Sequence, residues 1–165
     1  MRRLLCLTLA VTALTAGLLS GCGKPQSAAS DGAPSASPAA APGEAERKAL
    51  QAALPAPYNT ADLDNGQGKF ALCASCHTVT AGGPNMTGPN LHGIFGSKAG
   101  AVDKFAFSDA MKASGITWDA AQMDRWITDP KAVLPGTKMT FPGFKDPKDR
   151  TDLIAYLMVE SGYQP

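Results

Sequence analysis

The chain has 165 residues and a formal net charge of +1, which leaves room for one domain of ordinary size and excludes the concentrated Lys and Arg of a nucleic-acid surface. Its 17 Gly and 13 Pro, with Ala and Ser crowding the first third, put part of the length outside any hydrophobic core.

Arg2 and Arg3 form a positive start to an apolar run, Leu4 to Leu19, that is shorter than the ~20 residues a membrane-spanning helix needs. Leu19-Ser20-Gly21-Cys22 follows directly and resembles the lipobox of bacterial lipoproteins. That resemblance implies that residues 1–21 are a signal peptide and that Cys22 carries lipid and anchors the mature chain to a membrane; an ordinary signal peptide with a coincidental cysteine is the competing reading. Residues 23–43, GKPQSAASDGAPSASPAAAPG, hold no aromatic or large aliphatic residue and read as linker. A short helix is expected over Glu44 to Leu54, stopped by Pro55-Ala56-Pro57. The expected organisation is therefore a signal peptide over 1–21, an anchored linker over 22–57 and a domain over 58–165.

Spacing predicts a helix over Asp62 to Cys76, with Leu63, Phe70 and Ala71 on one face. It runs into Cys73-Ala74-Ser75-Cys76-His77. Cys6 and Cys22 belong to the leader, so no second cysteine pair completes a zinc site, and the only other histidine is His92. A thioredoxin-like dithiol needs a βαβ pattern rich in Val and Ile, which is sparse here. Haem attachment accounts for all three fixed positions together: Cys73 and Cys76 add across two vinyl groups, and His77 stands next to the iron. Zinc and a redox dithiol remain the competing chemistries.

Further along, Thr117 is expected to cap a helix running to about Thr128, with Asp129-Pro130 ending it and Met123, Trp126 and Ile127 facing the cofactor. Leu134-Pro135-Gly136-Thr137-Lys138-Met139 then forms a turn that delivers a methionine. Spacing alone does not choose among Met139, His92 and the other methionines as a second axial ligand. A last helix starts at Asp146-Pro147, with Leu153, Tyr156 and Leu157 recurring at i, i+3 and i+4.

The pieces GxxxFxxCASCH, TGPNLHGIFGSKAG, FAFSDAMKASGITW, DPKAVLPGTKM and DLIAYL, in this order, resemble the class I cytochromes c of mitochondria and bacteria. The resemblance implies an all-α fold wrapped around one covalent haem c, with crossed terminal helices that put Phe70 against Tyr156. It implies that His77 and Met139 are the axial ligands and that the Pro89 carbonyl holds the His77 ring. Thr137 and Trp118 are placed near the propionates, and Trp126 stands where a tyrosine usually reaches the methionine sulfur. Met111, Met123 and Met158 are expected in the core and His92 at the surface.

Some positions depart from the family's usual pattern. Ser97 replaces an arginine near a propionate, Phe107 a tyrosine and Met111 an asparagine. Fewer fixed donors raise the pKa of the inner propionate, so a pH-dependent potential is expected. Leu72 and Met86 stand where many mitochondrial members carry lysines, although Lys131, Lys138 and Lys145 remain, and residues 58–165 hold 10 Lys plus Arg against 11 Asp plus Glu, which gives little long-range steering.

The function implied is one-electron transport between membrane respiratory partners such as a quinol–cytochrome c reductase, a dehydrogenase or a terminal oxidase, on the periplasmic side of a bacterial membrane. A fixed haem subunit of an oxidase or dehydrogenase complex and a haem peroxidase are the alternatives.

Overall fold

The computed structural model describes residues 41–165; the expected signal peptide, Cys22 and the linker as far as residue 40 lie outside the described residues. Six α-helices follow one another: α1 (Glu44–Ala52), α2 (Leu63–Cys73), α3 (Asp109–Ala113), α4 (Ala120–Thr128), α5 (Pro130–Val133) and α6 (Pro147–Glu160), with a 3-10 turn at Tyr58–Thr60. The only β pairing among the described residues is an isolated antiparallel bridge between Lys98 and Thr117.

The packing of α2 on α6 organises the domain. The Asp62 side chain caps α2 by accepting from the Asn65 N–H at 2.9 Å. α6 begins as its sequence predicts: Asp146 accepts from the Lys148 N–H at 2.8 Å, and Pro147 occupies the first turn, where its missing N–H costs nothing. The expected aromatic contact is present, with the Phe70 and Tyr156 ring centroids 5.4 Å apart. Leu63 packs partly buried against the core, as expected, and Ala71 does not. Ala71 is exposed, and Gly66 makes the crossing, because a Cβ there would lie 2.2 Å from the Asp152 carbonyl oxygen. Absence of a side chain lets the two backbones touch.

Every residue of α6 from Asp152 to Glu160 is buried, so this helix is covered on all sides rather than on one stripe. Its outer cover is α1. Leu50 packs against the core and Leu54 is only 5% exposed, while Gln51 donates to the Ala61 carbonyl at 2.6 Å. Upstream of the domain expected over 58–165, α1 packs on α6. The helix expected within the linker forms, and it meets the core through Leu50 and Leu54 and α6 through the Arg47–Glu160 pair.

α4 is capped two residues later than expected. Asp119, not Thr117, accepts from the Gln122 N–H, because Thr117 is held in the bridge to Lys98. Met123, Trp126 and Ile127 are buried, as the amphipathic pattern of this segment requires. Asp129 ends α4 and caps α5 by accepting from the Ala132 N–H at 3.1 Å.

Candidate functional site

The CASCH segment is shaped by the end of α2. After Ala74 donates the last helical bond to the Phe70 carbonyl, the N–H groups of Cys76 and His77 both turn back to the Cys73 carbonyl, at 2.9 Å each. Ser75 Oγ closes the same turn by donating to the Leu72 carbonyl at 2.9 Å. Cys73 and Cys76 are free thiols, both half-buried. Burial, and then the neighbouring Cys76, push the Cys73 thiol up to about 11, so it stays protonated at neutral pH.

His77 is fixed by its ring. Nδ1 lies 2.7 Å from the Pro89 carbonyl oxygen. A carbonyl only accepts, so Nδ1 carries the proton and Nε2 keeps the lone pair that a metal needs. Burial lowers the pKa of His77 from its ordinary value against the opposing pull of the Pro89 bond, which favours the neutral ring. One flank of the ring lies on Gly88, where a Cβ would come within 2.3 Å of Cε1.

The loop that presents Gly88 and Pro89 is tied down at both ends. Gly88 N–H donates to the Cys76 carbonyl and Leu91 N–H to the Thr78 carbonyl, each at 2.8 Å. Between them sits Asn90, only 8% exposed. Its amide donates to the Thr80 and Gly83 carbonyls at 2.9 and 2.7 Å, and its Oδ1 accepts from the His92 N–H at 2.6 Å. Sequence reasoning passed over Gly88 and Asn90. The available signal was the unbroken TGPNL, in which a glycine and an asparagine flank the proline whose carbonyl orients the ring.

On the far side of the chain, Leu134-Pro135-Gly136 turns so that Thr137 N–H donates to the Leu134 carbonyl at 3.1 Å, with Gly136 at φ 90°. Thr137 Oγ1 then accepts from the Met139 N–H at 3.2 Å, which leaves its own hydroxyl proton free to donate elsewhere. Met139 is partly buried against the core.

Trp118 and Trp126 are 5% and 7% exposed and pack edge to face, with centroids 5.3 Å apart. The departures from the family pattern occupy defined places. Ser97 Oγ donates to the Ile94 carbonyl at 2.7 Å, Phe107 packs on Phe105 with centroids 4.7 Å apart, and Met111 is buried. Met123 and Met158 lie in the core and His92 is exposed.

Three groups thus form by direct contact: Cys73, Cys76 and His77 with Gly88 and Pro89; Thr137 with Met139; and Trp118 with Trp126. The donor set fits a covalently held haem. It supplies two free thiols to form thioethers, an oriented neutral imidazole, and a partly buried thioether sulfur of the softness that suits iron. A CXXCH turn at the end of the first core helix of an all-helical domain defines a c-type cytochrome.

The comparisons with known proteins agree. The family model described as Cytochrome c matches residues 63–159. Cytochrome c2 of Rhodomicrobium vannielii is 46% identical over 105 residues, covering 64% of this chain and 84% of that protein. Cytochrome c of Kluyveromyces lactis is 42% identical over 106 residues, covering 64% of this chain and 96% of the relative. Among solved structures, cytochrome cH from Methylobacterium extorquens is 49% identical with a TM-score of 0.57, covering 60% of this chain and 99% of that one. The chain belongs to the cytochrome c family, with the class I fold. It binds one haem c covalently through Cys73 and Cys76, and it is a haem-based electron carrier.

Proposed function

We propose that His77 Nε2 and Met139 Sδ would hold the haem iron, and that the protein passes single electrons between respiratory partners on the periplasmic side of a bacterial membrane. A quinol–cytochrome c reductase, a dehydrogenase and a terminal oxidase are the partner classes that suit this role, and lipidated Cys22 holds the protein near them. The observation that carries the axial assignment is the 2.7 Å bond from His77 Nδ1 to the Pro89 carbonyl, which leaves Nε2 as the ligating nitrogen.

Once attached, the haem supplies a one-electron couple in which iron alternates between ferrous and ferric states. The protein's part is to keep both axial donors in place, so that no water or peroxide reaches the metal. Gly88 and Pro89 hold the His77 ring against rotation, and Thr137 holds the backbone of Met139. The buried Trp118 and Trp126 supply indole N–H groups suited to the propionates and the methionine sulfur, respectively. Ser97 spends its hydroxyl on Ile94, which supports the expectation of a sparsely paired inner propionate.

Among the described residues no helix is long and apolar enough to cross a membrane. The axial assignment is tested on the ferric holoprotein. Wild type is expected to show the weak red charge-transfer band of methionine-ligated haem, and Met139→Ala to lose it while keeping its covalent haem. Persistence of the band in Met139→Ala would remove Met139 from the site. For the anchor, the intact mass of detergent-extracted protein should equal the chain from Cys22 plus lipid, and Cys22→Ser should appear in the soluble fraction.

A further inference from the structure

Three hydrogen bonds run head to tail away from the His77 ring. His77 Nδ1–H donates to the Pro89 carbonyl at 2.7 Å. The N–H of that same peptide unit, carried by Asn90, donates to Asn85 Oδ1 at 2.9 Å. Asn85 Nδ2 donates in turn to the Asp103 carbonyl at 2.9 Å. The Asn85 amide has only one orientation that works, because a flipped amide would set N–H against N–H and oxygen against oxygen.

The chain around Asn85 is fixed on both sides. Asn85 is half-buried, Thr78 Oγ1 donates to the Pro84 carbonyl, and Met86 N–H donates to the Gly88 carbonyl, each bond at 2.8 Å. The Asp103 carbonyl belongs to a turn in which Lys104 has φ 55°, the only positive value at a non-glycine among the described residues.

We infer that Asn85 is a positioning residue for the iron-binding histidine: through the Pro89–Asn90 peptide it sets the direction and the strength of the bond that His77 donates. Asn85 has no hydrogen bond of its own to the ring and acts through this one peptide unit. When an oxygen accepts from an amide N–H, the carbonyl oxygen of the same amide gains negative charge, and head-to-tail chains strengthen each member by roughly 10–30%. A stronger acceptor at Nδ1 makes Nε2 a more basic ligand. A more basic ligand favours ferric over ferrous iron, so Asn85 holds the reduction potential down. This rests on the axial role of His77 proposed above and adds to it the residue that tunes the ring.

The test uses the full-chain holoprotein, with potentiometry and proton NMR of the His77 ring in the diamagnetic ferrous state. Asn85→Leu removes both side-chain bonds. Its ferrous-to-ferric ratio at a fixed potential should rise about threefold, which is ~30 mV at ~59 mV per tenfold for a one-electron couple. The Nδ1 proton should move upfield and exchange faster with solvent. Asn85→Asp at pH 7 offers the Asn90 N–H a charge-assisted acceptor and loses the donor to Asp103. It should unfold more easily than wild type, yet its Nδ1 proton should move downfield, opposite to Asn85→Leu. Thr87→Asp, exposed in the same loop, adds the charge without the acceptor and should leave the Nδ1 proton in place.

An unchanged potential and Nδ1 resonance in Asn85→Leu, whatever its stability, overturn the inference and reduce Asn85 to a tie between loops. If Asn85→Leu fails to mature, Asn85→Asp against Thr87→Asp decides: a downfield Nδ1 proton supports the inference, and an unmoved or upfield one overturns it. The axial role is read separately in wild type. The carbon-bound ring protons of an iron-bound His77 are shifted far upfield by the macrocycle, and finding them at ordinary positions overturns the axial assignment itself.

Discussion

Arg47 Nε lies 2.5 Å from Oε1 of Glu160, a carboxylate whose side chain is only 3% exposed, although 113 residues separate the two. The same guanidinium stands 5.5 Å from the centroid of the Tyr156 ring, which packs on Phe70. One side chain of α1 therefore neutralises the end of α6 and backs the aromatic pair at the α2–α6 crossing.

Removing Arg47 leaves a buried carboxylate without its partner. Arg47→Ala is expected to destabilise the holoprotein by about 3 kcal/mol, the scale for breaking one side of a buried pair. Arg47→Met combined with Glu160→Leu should cost less than Arg47→Ala alone, because no unpaired charge remains. Guanidinium unfolding followed by tryptophan fluorescence measures both.

Two glycines of α2 make a contrasting pair. A Cβ at Gly66 meets the Asp152 carbonyl oxygen at 2.2 Å and Tyr156 Cβ at 2.8 Å, whereas a Cβ at Gly68 meets nothing within 4 Å. Gly66→Ala should push the helices apart and cost about 2 to 3 kcal/mol, while Gly68→Ala should stabilise by up to about 1 kcal/mol through helix propensity. Equal effects of the two substitutions on the denaturation midpoint would show that the crossing is not backbone-tight.

Gly88→Ala addresses the ring. The added methyl cannot coexist with His77 Cε1 at 2.3 Å, so either the imidazole or the loop carrying Pro89 must move. The yield of covalent haem, read by mass spectrometry and haem staining, should fall about tenfold or more, as when an orienting contact to a metal ligand is lost. An unchanged yield and spectrum would mean that the loop gives way and the ring does not.

Acid should weaken the α2–α6 contact through Asp152. Burial alone would raise its pKa, but the Lys148 ammonium at 2.6 Å, the Asn65 amide at 2.7 Å and the Asp62 N–H at 3.0 Å outweigh burial and hold it below the ordinary 3.8. Asp149 is lowered too, by hydrogen bonds from Lys69 first and Asn65 second. A depressed folded pKa means that the unfolded chain takes up protons first as pH falls. The stabilisation is complete above the ordinary carboxylate value and is lost through pH 3.8 and below. Asp152→Asn should be less stable than wild type at pH 7, and the difference should shrink toward pH 3. Unfolding curves at both pH values decide the matter.

Much of the fold is legible in short patterns. Asp146-Pro147 marks the start of α6 and Asp129-Pro130 the break between α4 and α5, because caps and prolines act within one turn of chain. The thiol pair and its histidine are legible for the same reason. What escaped depends on distant partners. Thr117 and Asp119 are both competent caps, and only pairing with Lys98 removes Thr117 from the contest. Ile154, Ala155 and Val159 fill faces of α6 that a single-stripe pattern assigns to water, and the helices that surround α6 come from distant parts of the chain. Gly66 and Gly88 are informative through what they lack, and a missing methyl has meaning only once its neighbour is known.

The seating of α1 also has a mechanical side. Ala41 and Pro42 line the same shallow cleft as Gly162, Tyr163 and Gln164, so the chain enters the domain beside the place where its last helix ends. Tension applied from upstream reaches α1 first and is resisted there by the Arg47–Glu160 pair and by Leu50 and Leu54. In chain order α1 therefore stands between the upstream segment and the helices that carry the attachment turn.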